Sequence, residues 1–277
     1  MNELQIAEEI YKHFVGKIDS DTDSIPIDMR APSLVGTVQD DPFDTWTSEV
    51  ISENLSELDI HHAGKLTTPD IAMRHPVTKS ILGLEVKKLI QKRNGADPRG
   101  LTIDYNSSIP CGQALIRIKN DHVAIPCFYF FALLSPDSSS IVTLLLIDGD
   151  FLNYDFDLHK DAKTANISEY NQGPYGEGSV RRRAMYTYPN PLNYKLDFFH
   201  LRKVMVVKSN DAEKLGISDR ATHQIRRDDI YGNQFFYSII DFTVEPTGKE
   251  PPLLTDIFVA CKKRSPKKRT QSMITLT

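Results

Sequence analysis

Cysteine is scarce in this chain, and the sequence lacks the motifs of several enzyme classes. The three cysteines, Cys111, Cys127 and Cys261, form no C-x-x-C pair, and no Cys/His cluster has the spacing of a zinc site. We expect them to be reduced thiols of a cytoplasmic protein. The sequence contains neither a G-x-S-x-G element nor a Walker phosphate loop, so neither a serine hydrolase triad nor a nucleotide-binding loop is indicated.

Long hydrophobic runs and a signal sequence are absent as well. No apolar run reaches the length of a membrane span, because the longest ones are interrupted by Pro or Asp. The first residues, MNELQIAEEIYKHF, are amphipathic and acidic, and they lack the basic flank and apolar centre of a signal peptide. We therefore expect no membrane partner and a cytoplasmic location.

Charge is distributed unevenly along the chain. The net charge of −4 by itself argues against a general nucleic-acid binder. Residues 1–177 contain 15 Lys and Arg against 27 Asp and Glu, whereas residues 178–277 contain 18 against 10. This asymmetry indicates a polyanionic partner for the C-terminal part. The alternatives are two complementary faces or a solvated basic tail.

Periodicity predicts the secondary structure best in the first half of the chain. Helical spacing of apolar residues predicts one helix over 2–15 and a second over 45–58, with Thr45 as its N-cap. The stretches "DIAMR" (70–74) and "ILGLEVKKLI" (81–90) predict two strands joined by a turn.

The remaining segments predict a central sheet and a β-rich C-terminal part. Continuous apolar runs at 123–134 and 141–148 are typical of central strands covered on both faces. Residues 112–120 fit a short helix or a strand, and residues 210–230 contain a predicted helix. Further strands are predicted at 203–208, 234–245 and 255–263. The basic, polar end of the chain has the composition of a disordered tail.

A pattern of two acids and a lysine lies within the first predicted hairpin. Pro69-Asp70 and Glu85-Val86-Lys87 form the pattern P-D-x14-E-x-K. Because strand side chains alternate between faces, Glu85 and Lys87 share a face, and the short turn brings Asp70 beside them. Two close carboxylates repel each other unless a cation lies between them, and hard oxygen ligands suit Mg²⁺. The alternative is an ordinary edge hairpin with a Glu–Lys pair on its surface.

These residues resemble the PD-(D/E)xK nuclease superfamily, to which many type II restriction endonucleases belong. The resemblance implies Mg²⁺-dependent hydrolysis of phosphodiesters, with Asp70 and Glu85 as metal ligands and Lys87 as the catalytic lysine. It also implies an α/β fold with a restriction-endonuclease-like core, in which helices flank a central mixed β-sheet. The segments "TPDIAM", "LGLEVKKL" and "YNSSIPCGQ" are similar in particular to NgoPII-type restriction endonucleases, which cut at GGCC.

We expect one nuclease domain over residues 1–277. Its catalytic core would span about residues 45–150, a β-rich DNA-recognition elaboration about 151–262, and a basic tail 263–277. Nucleases of this superfamily often take a further acid from a helix before the Pro-Asp strand. Glu49 or Glu53 would fill that position, with Glu49 preferred, or both lie on a solvated acidic face of the helix.

Candidate DNA-contacting residues lie in basic clusters, because phosphate neutralisation supplies much of the affinity for a duplex and base-edge contacts supply specificity. They are Arg93 and Arg99 after the catalytic strand, Gln113, the run Arg181, Arg182 and Arg183, and the group His223, Arg226 and Arg227. The arginine run either enters a groove, where Arg can bind guanine, or contacts only phosphates.

The sequence therefore predicts a type II restriction endonuclease that binds double-stranded DNA, uses Mg²⁺ and acts as a homodimer, since a two-fold symmetric site suits a two-fold symmetric protein. Two alternatives stay open. One is a repair or recombination nuclease of the same superfamily, and the other is a non-catalytic DNA-binding protein on a nuclease-like core.

Overall fold

The fold is known from a computed structural model of the chain. The structure describes residues 1–31, 34–35, 38–39, 41–62, 67–93, 102–105, 112–152, 180–187, 201–228, 231–255, 262–270 and 272–276. Within these ranges the structure describes only the backbone of 34–35, 38–39, 67, 102–105, 180–187, 262–270 and 272–273.

Three α-helices occur in the described ranges. They are α1 (Glu3–Val15), α2 (Pro42–Asn54) and α3 (Ser209–Leu215). Helix α1 begins with a capping box, in which the Asn2 side chain accepts from the Gln5 amide at 2.9 Å and the Gln5 side chain accepts from the Asn2 amide at 2.8 Å. Helix α2 is capped by Asp41, whose carboxylate accepts from the Phe43 amide at 3.0 Å.

The described strands are numbered β1 to β19 in chain order. They are β1 (Ile25–Pro26), β2 (Leu34–Val35), β3 (Val38–Gln39), β4 (Asp59–His62), β5 (Thr67–Thr68), β6 (Ile71–Arg74), β7 (Ile81–Ile90), β8 (Thr102–Tyr105), β9 (Gln113–Ile118), β10 (Asp121–Leu134), β11 (Ser140–Asp148), β12 (Val180–Thr187), β13 (Lys203–Lys208), β14 (Ala221–Asp228), β15 (Gln234–Ile240), β16 (Leu253–Thr255), β17 (Lys262–Thr270), β18 (Ser272–Met273) and β19 (Thr275–Leu276).

One large mixed sheet organises the molecule. Its main order is β16-β14-β15-β13-β11-β10-β7-β6-β4. Strand β7 runs parallel to β10, β11 runs parallel to β13, and the neighbours β10 and β11 are antiparallel. A separate three-stranded sheet has the order β17-β12-β8. The prediction of an α/β protein with a central mixed sheet is confirmed at this level.

The main core lies between this sheet and helices α1 and α2. Alternate residues of β7, such as Leu84 and Val86, pack in the same cluster as Phe14 of α1 and Ile51 of α2. Helix α1 is also held by Tyr11, whose buried hydroxyl donates to the Lys203 carbonyl at 2.8 Å. Because strand side chains alternate, the odd-numbered residues of β7, which include Glu85 and Lys87, belong to the opposite face of the sheet.

Most predicted elements are confirmed, and the differences have physical reasons. The helix predicted over 45–58 begins at Pro42, because Asp41 rather than Thr45 is its N-cap. The helix predicted within 210–230 is only α3 at its start, and β14 follows it. Residues 112–120 contain strand β9. The strand predicted at 234–245 ends at Ile240. Of the single strand predicted at 255–263, the described residues belong to two strands, Thr255 to β16 and Lys262 and Lys263 to β17, and the rest lies outside the described residues.

The prediction of a disordered end from Lys262 onward is wrong for the described residues 262–270 and 272–276. Strand β17 pairs with β12, β18 pairs with β5, and β19 pairs with β9. Ile274 and Leu276 are 7% and 1% exposed, so apolar residues anchor the end of the chain against β9. Pairing with strands that are distant in the sequence orders this polar segment.

None of the helices in the described part of the chain is long and apolar enough to cross a membrane.

Candidate active site

The site lies where strand β7 extends beyond the end of its neighbour β6. The antiparallel register of β6 and β7 pairs Ile71 with Leu84, so Asp70, which precedes β6, lies beside Glu85. Since β6 begins at Ile71, the β7 residues beyond Glu85 have no β6 partner. The Val86 amide donates instead to Asp70 Oδ2 at 2.7 Å. This bond fixes the Asp70 carboxylate at the edge of the sheet.

Lys87 connects the two acids. Its Nζ donates to Glu85 Oε1 at 2.6 Å and lies 3.5 Å from Asp70 Oδ2. The same ammonium donates to the Val86 carbonyl at 3.1 Å. One positive charge therefore stands between two carboxylates that would otherwise repel each other.

Glu85 is buried, which distinguishes the site from a surface ion pair. It is 6% exposed, and charged residues are rarely buried unless they are paired. Strand β7 lies between β10 and β6, and β4 rather than this hairpin forms the edge of the sheet. The alternative of an edge hairpin with a superficial Glu–Lys pair does not describe this arrangement.

Asp44, in the first turn of α2, is a third acid near the site. Burial raises its pKa to about 7, and the negative charges of Asp41 and Glu85 act in the same direction. The positive charges of Lys87 and Lys88 oppose that rise. These mutual effects place Asp44 in the electrostatic neighbourhood of Glu85 and Lys87.

The pKa of Asp70 is also raised, to about 6. Burial is the main cause, the Lys87 charge opposes it, and the Asp44 charge adds to it. Both pKa values are raised mainly because burial disfavours the ionised carboxylate, with the charge of neighbouring acids as a smaller contribution. A cation bound there would favour the ionised acids and displace protons.

The donor set suits Mg²⁺ rather than zinc. Its chemistry is that of hard carboxylate oxygens, from Asp70 and Glu85, and Mg²⁺ is commonly held by one or two carboxylates together with waters and a substrate phosphate. Within the described ranges no group of three or more His, Cys, Asp or Glu side chains could enclose a metal ion. A two-carboxylate site of this kind does not require such a group.

Glu49 and Glu53, the helix acids considered from the sequence, are both exposed on α2. The charge of Glu49 acts on His62, whose pKa is lowered by burial. A role for Glu49 in the site stays a prediction, and the α2 acid whose charge acts on Asp70 is Asp44. Sequence reasoning missed Asp44 because it placed the start of the helix at Thr45. The Asp-Pro pair at 41–42 was the available signal, since Pro is favoured at the first helical position.

The basic residues predicted near the site are only partly described. Arg93 is exposed just after β7, and Gln113 is exposed at the start of β9. Arg99 lies outside the described residues. Arg93 is thus a candidate DNA-contacting cation that follows β7 closely and is open to solvent.

The other predicted DNA-contacting residues lie on different strands. Arg181, Arg182 and Arg183 belong to β12 in the three-stranded sheet.

His223, Arg226 and Arg227 belong to β14, which is five strand positions from β7, or about 24 Å. Arg227 is 8% exposed, with its guanidinium 5.0 Å from the Phe151 ring centroid, so little of it is available to a phosphate. Arg226 is half-exposed and its Nε lies 3.2 Å from Asp228 Oδ1. His223 is partly buried, and burial together with the charge of Arg202 lowers its pKa.

Assignment of a function to this chain rests on these residues alone. No protein-family model matches the chain, and neither does any curated protein or solved structure.

Proposed function

We propose that the chain is a Mg²⁺-dependent endonuclease that hydrolyses phosphodiester bonds in double-stranded DNA, of the type II restriction class and with a restriction-endonuclease-like core. The single observation that carries the proposal is the position of the Lys87 ammonium, 2.6 Å from Glu85 Oε1 and 3.5 Å from Asp70 Oδ2. Lys87 lies between a buried acid, Glu85, and a partly buried one, Asp70, at the point where β7 extends beyond β6. This is the arrangement that the P-D-x14-E-x-K pattern predicts.

Each residue of the set would have a distinct task. Asp70 and Glu85 would hold the cation through their carboxylate oxygens, and the Val86 amide keeps Asp70 in place through Oδ2. Bound Mg²⁺ lowers the pKa of water and compensates charge that develops on a phosphate. Lys87 would hold and orient the attacking water and stabilise the negative charge that builds on the phosphate oxygens.

The reaction proposed is in-line attack by water that breaks the P–O3′ bond. It leaves a 5′-phosphate and a 3′-hydroxyl. We propose further that the protein acts as a cytoplasmic homodimer on a short palindromic site, because the two strands of such a site are related by a two-fold axis.

The test is cleavage of phage DNA by the purified chain with Mg²⁺ and with EDTA. The proposal predicts discrete fragments with Mg²⁺, no cleavage with EDTA, and a loss of at least about 1,000-fold in rate for Lys87→Ala. Lys214→Ala is the matched control, because Lys214 is an exposed lysine on α3 in another part of the fold. The control should cut as the unmodified protein does.

The other outcomes identify the alternatives. Cleavage restricted to branched or damaged DNA would indicate a repair nuclease with the same chemistry. Binding to duplex DNA that survives EDTA, with no cleavage under any condition, would refute the nuclease proposal and leave a DNA-binding protein. Equal cleavage by Lys87→Ala and the unmodified protein would place the active site elsewhere.

A further inference from the structure

The strand pair β12–β17 brings together two basic segments that are far apart in the sequence. Strand β12 has the sequence VRRRAMYT and β17 the sequence KKRSPKKRT, so the pair contains nine cations and no acid. Three consecutive cross-strand pairs each join two cations: Arg181 with Arg269, Arg182 with Lys268, and Arg183 with Lys267.

Like charges at directly opposite positions destabilise an antiparallel pair. A sheet with three such pairs in succession is therefore less stable alone than with a polyanion beside it. In β8, which is the other neighbour of β12, Asp104 lies opposite Met185 and not opposite a cation. Within the backbone register of this sheet no acid stands opposite any of the six paired cations.

A proline within β17 is consistent with a true strand pair at the edge of a sheet. The register shifts between Arg183 and Met185, so Ser265 and Pro266 together oppose the single residue Ala184. Proline lacks an amide hydrogen and is tolerated in strands at bulges and edges. Strand β17 has both features, since it is the outer strand of the order β17-β12-β8.

The strand pair β12–β17 is attached close to the candidate active site. Strand β18 follows β17 after one residue and pairs Ser272 with Thr67 and Met273 with Thr68. Thr68 is two residues before Asp70. By chain reach, the end of β17 is therefore within about 20–25 Å of Asp70. A DNA duplex bound to this strand pair would be close enough to place one of its phosphodiesters beside Asp70.

Strand β8 pairs only with residues 184–187 of β12, so residues 180–183 and 267–270 form a two-stranded ribbon. We infer that this ribbon binds double-stranded DNA, an inference that rests on the proposed nuclease function and assigns its duplex-binding element. A two-stranded antiparallel ribbon has the width that the major groove accepts. Because successive strand residues alternate between faces, the pairs Arg181–Arg269 and Arg183–Lys267 belong to one face of the ribbon and Arg182–Lys268 to the other. One face thus has four cationic positions in two adjacent rows, which suits the regular phosphates of a duplex.

The test compares two variants with the same loss of charge. The first is the triple substitution Lys267→Gln, Lys268→Gln and Arg269→Gln in β17. The control is Lys17→Gln, Lys214→Gln and Lys249→Gln, which removes three exposed cations from other parts of the chain. Both full-length variants are titrated with a mixed-sequence 30-base-pair duplex in EDTA, at several salt concentrations.

The β17 variant should bind the duplex about 100-fold more weakly at 0.1 M salt, with a salt slope lower by about 2, since Lys267 and Arg269 share a face. The control should stay within about threefold of the unmodified protein. The β17 variant should also melt at an equal or higher temperature at low salt without DNA, because like-charge pairs have been removed. Cations that form structural ion pairs would give the opposite shift in melting.

Equal weakening by both variants, or no weakening by either, would overturn the inference. Tighter binding of single-stranded DNA of the same length would overturn the assignment of a duplex. The two proposals can fail separately. If the unmodified protein cleaves DNA but the β17 substitutions do not weaken duplex binding, only the ribbon inference is refuted. If the β17 substitutions weaken duplex binding but no Mg²⁺-dependent cleavage is found, only the nuclease proposal is refuted.

Discussion

Asp44→Asn should make the protein more stable and less active. Burial raises the pKa of Asp44 from 3.8 to about 7. Since one pKa unit corresponds to about 1.4 kcal/mol, the ionised side chain costs the folded state about 4 kcal/mol above pH 7. The positive end of α2 offsets about 1 kcal/mol of that cost. Asparagine should therefore raise the free energy of unfolding by about 3 kcal/mol at pH 8.

The gain should depend on pH in a defined direction. The folded protein keeps the Asp44 proton to a higher pH than the unfolded chain does, so its free energy of unfolding falls as pH rises from 3.8 to about 7. The variant lacks that fall. The difference between variant and unmodified protein should therefore be about 1.5 kcal/mol at pH 5 and about 3 kcal/mol at pH 8.

Urea denaturation in EDTA at the two pH values measures this difference, and Mg²⁺-dependent cleavage measures the cost in activity. Glu53→Gln is the matched control, because Glu53 is an exposed acid on the same helix. It should change neither stability nor its pH dependence. A gain for Asp44→Asn that is the same at both pH values, or a loss at pH 8, would refute the assignment of a buried charge at this position. Increased stability with an unchanged rate of cleavage would show that Asp44 has no role in the reaction.

Two further variants test the fold away from the site. Tyr11→Phe should lower the free energy of unfolding by about 2 kcal/mol in urea, because the hydroxyl donates to the Lys203 carbonyl at 2.8 Å and accepts from the Phe242 amide at 3.2 Å; an unchanged midpoint would contradict both bonds. Burial, reinforced by the Asp150 charge, raises the pKa of Asp148 to about 7, so the unmodified protein loses stability as pH rises from 3.8 to about 7. Asp148→Asn should flatten that loss in denaturation series at several pH values, and an undiminished slope would argue against it.

The sequence predicted correctly those elements whose pattern depends only on residues close together in the chain. The β6–β7 hairpin was predicted because its strands are close in sequence and the alternation of side chains is independent of the rest of the fold. The central strands β10 and β11 were predicted from apolar runs that few other environments accommodate. The proximity of Asp70, Glu85 and Lys87 follows from the short hairpin and from the alternation of side chains along a strand.

What the sequence did not predict depends on distant partners or on one misplaced boundary. Asp44 was missed because the start of α2 was placed at Thr45, three residues after Pro42. The basic end was taken for a disordered tail because composition does not reveal a strand partner, and the partner of β17 is β12, some 80 residues earlier. Burial of Arg227 under Phe151 likewise required the packed structure.

The pairing of β18 with β5 has a consequence for how the site is acquired during folding. It joins Ser272 to Thr67, so the segment that leads into Asp70 is held by a contact between remote parts of the chain. Closing a loop of about 200 residues is slow compared with forming a hairpin. A fragment interrupted before β17 would retain every residue of the P-D-x14-E-x-K pattern and lose this pairing. Fragment complementation, with a β17–β19 peptide added back, would be a way to assemble the site in two steps.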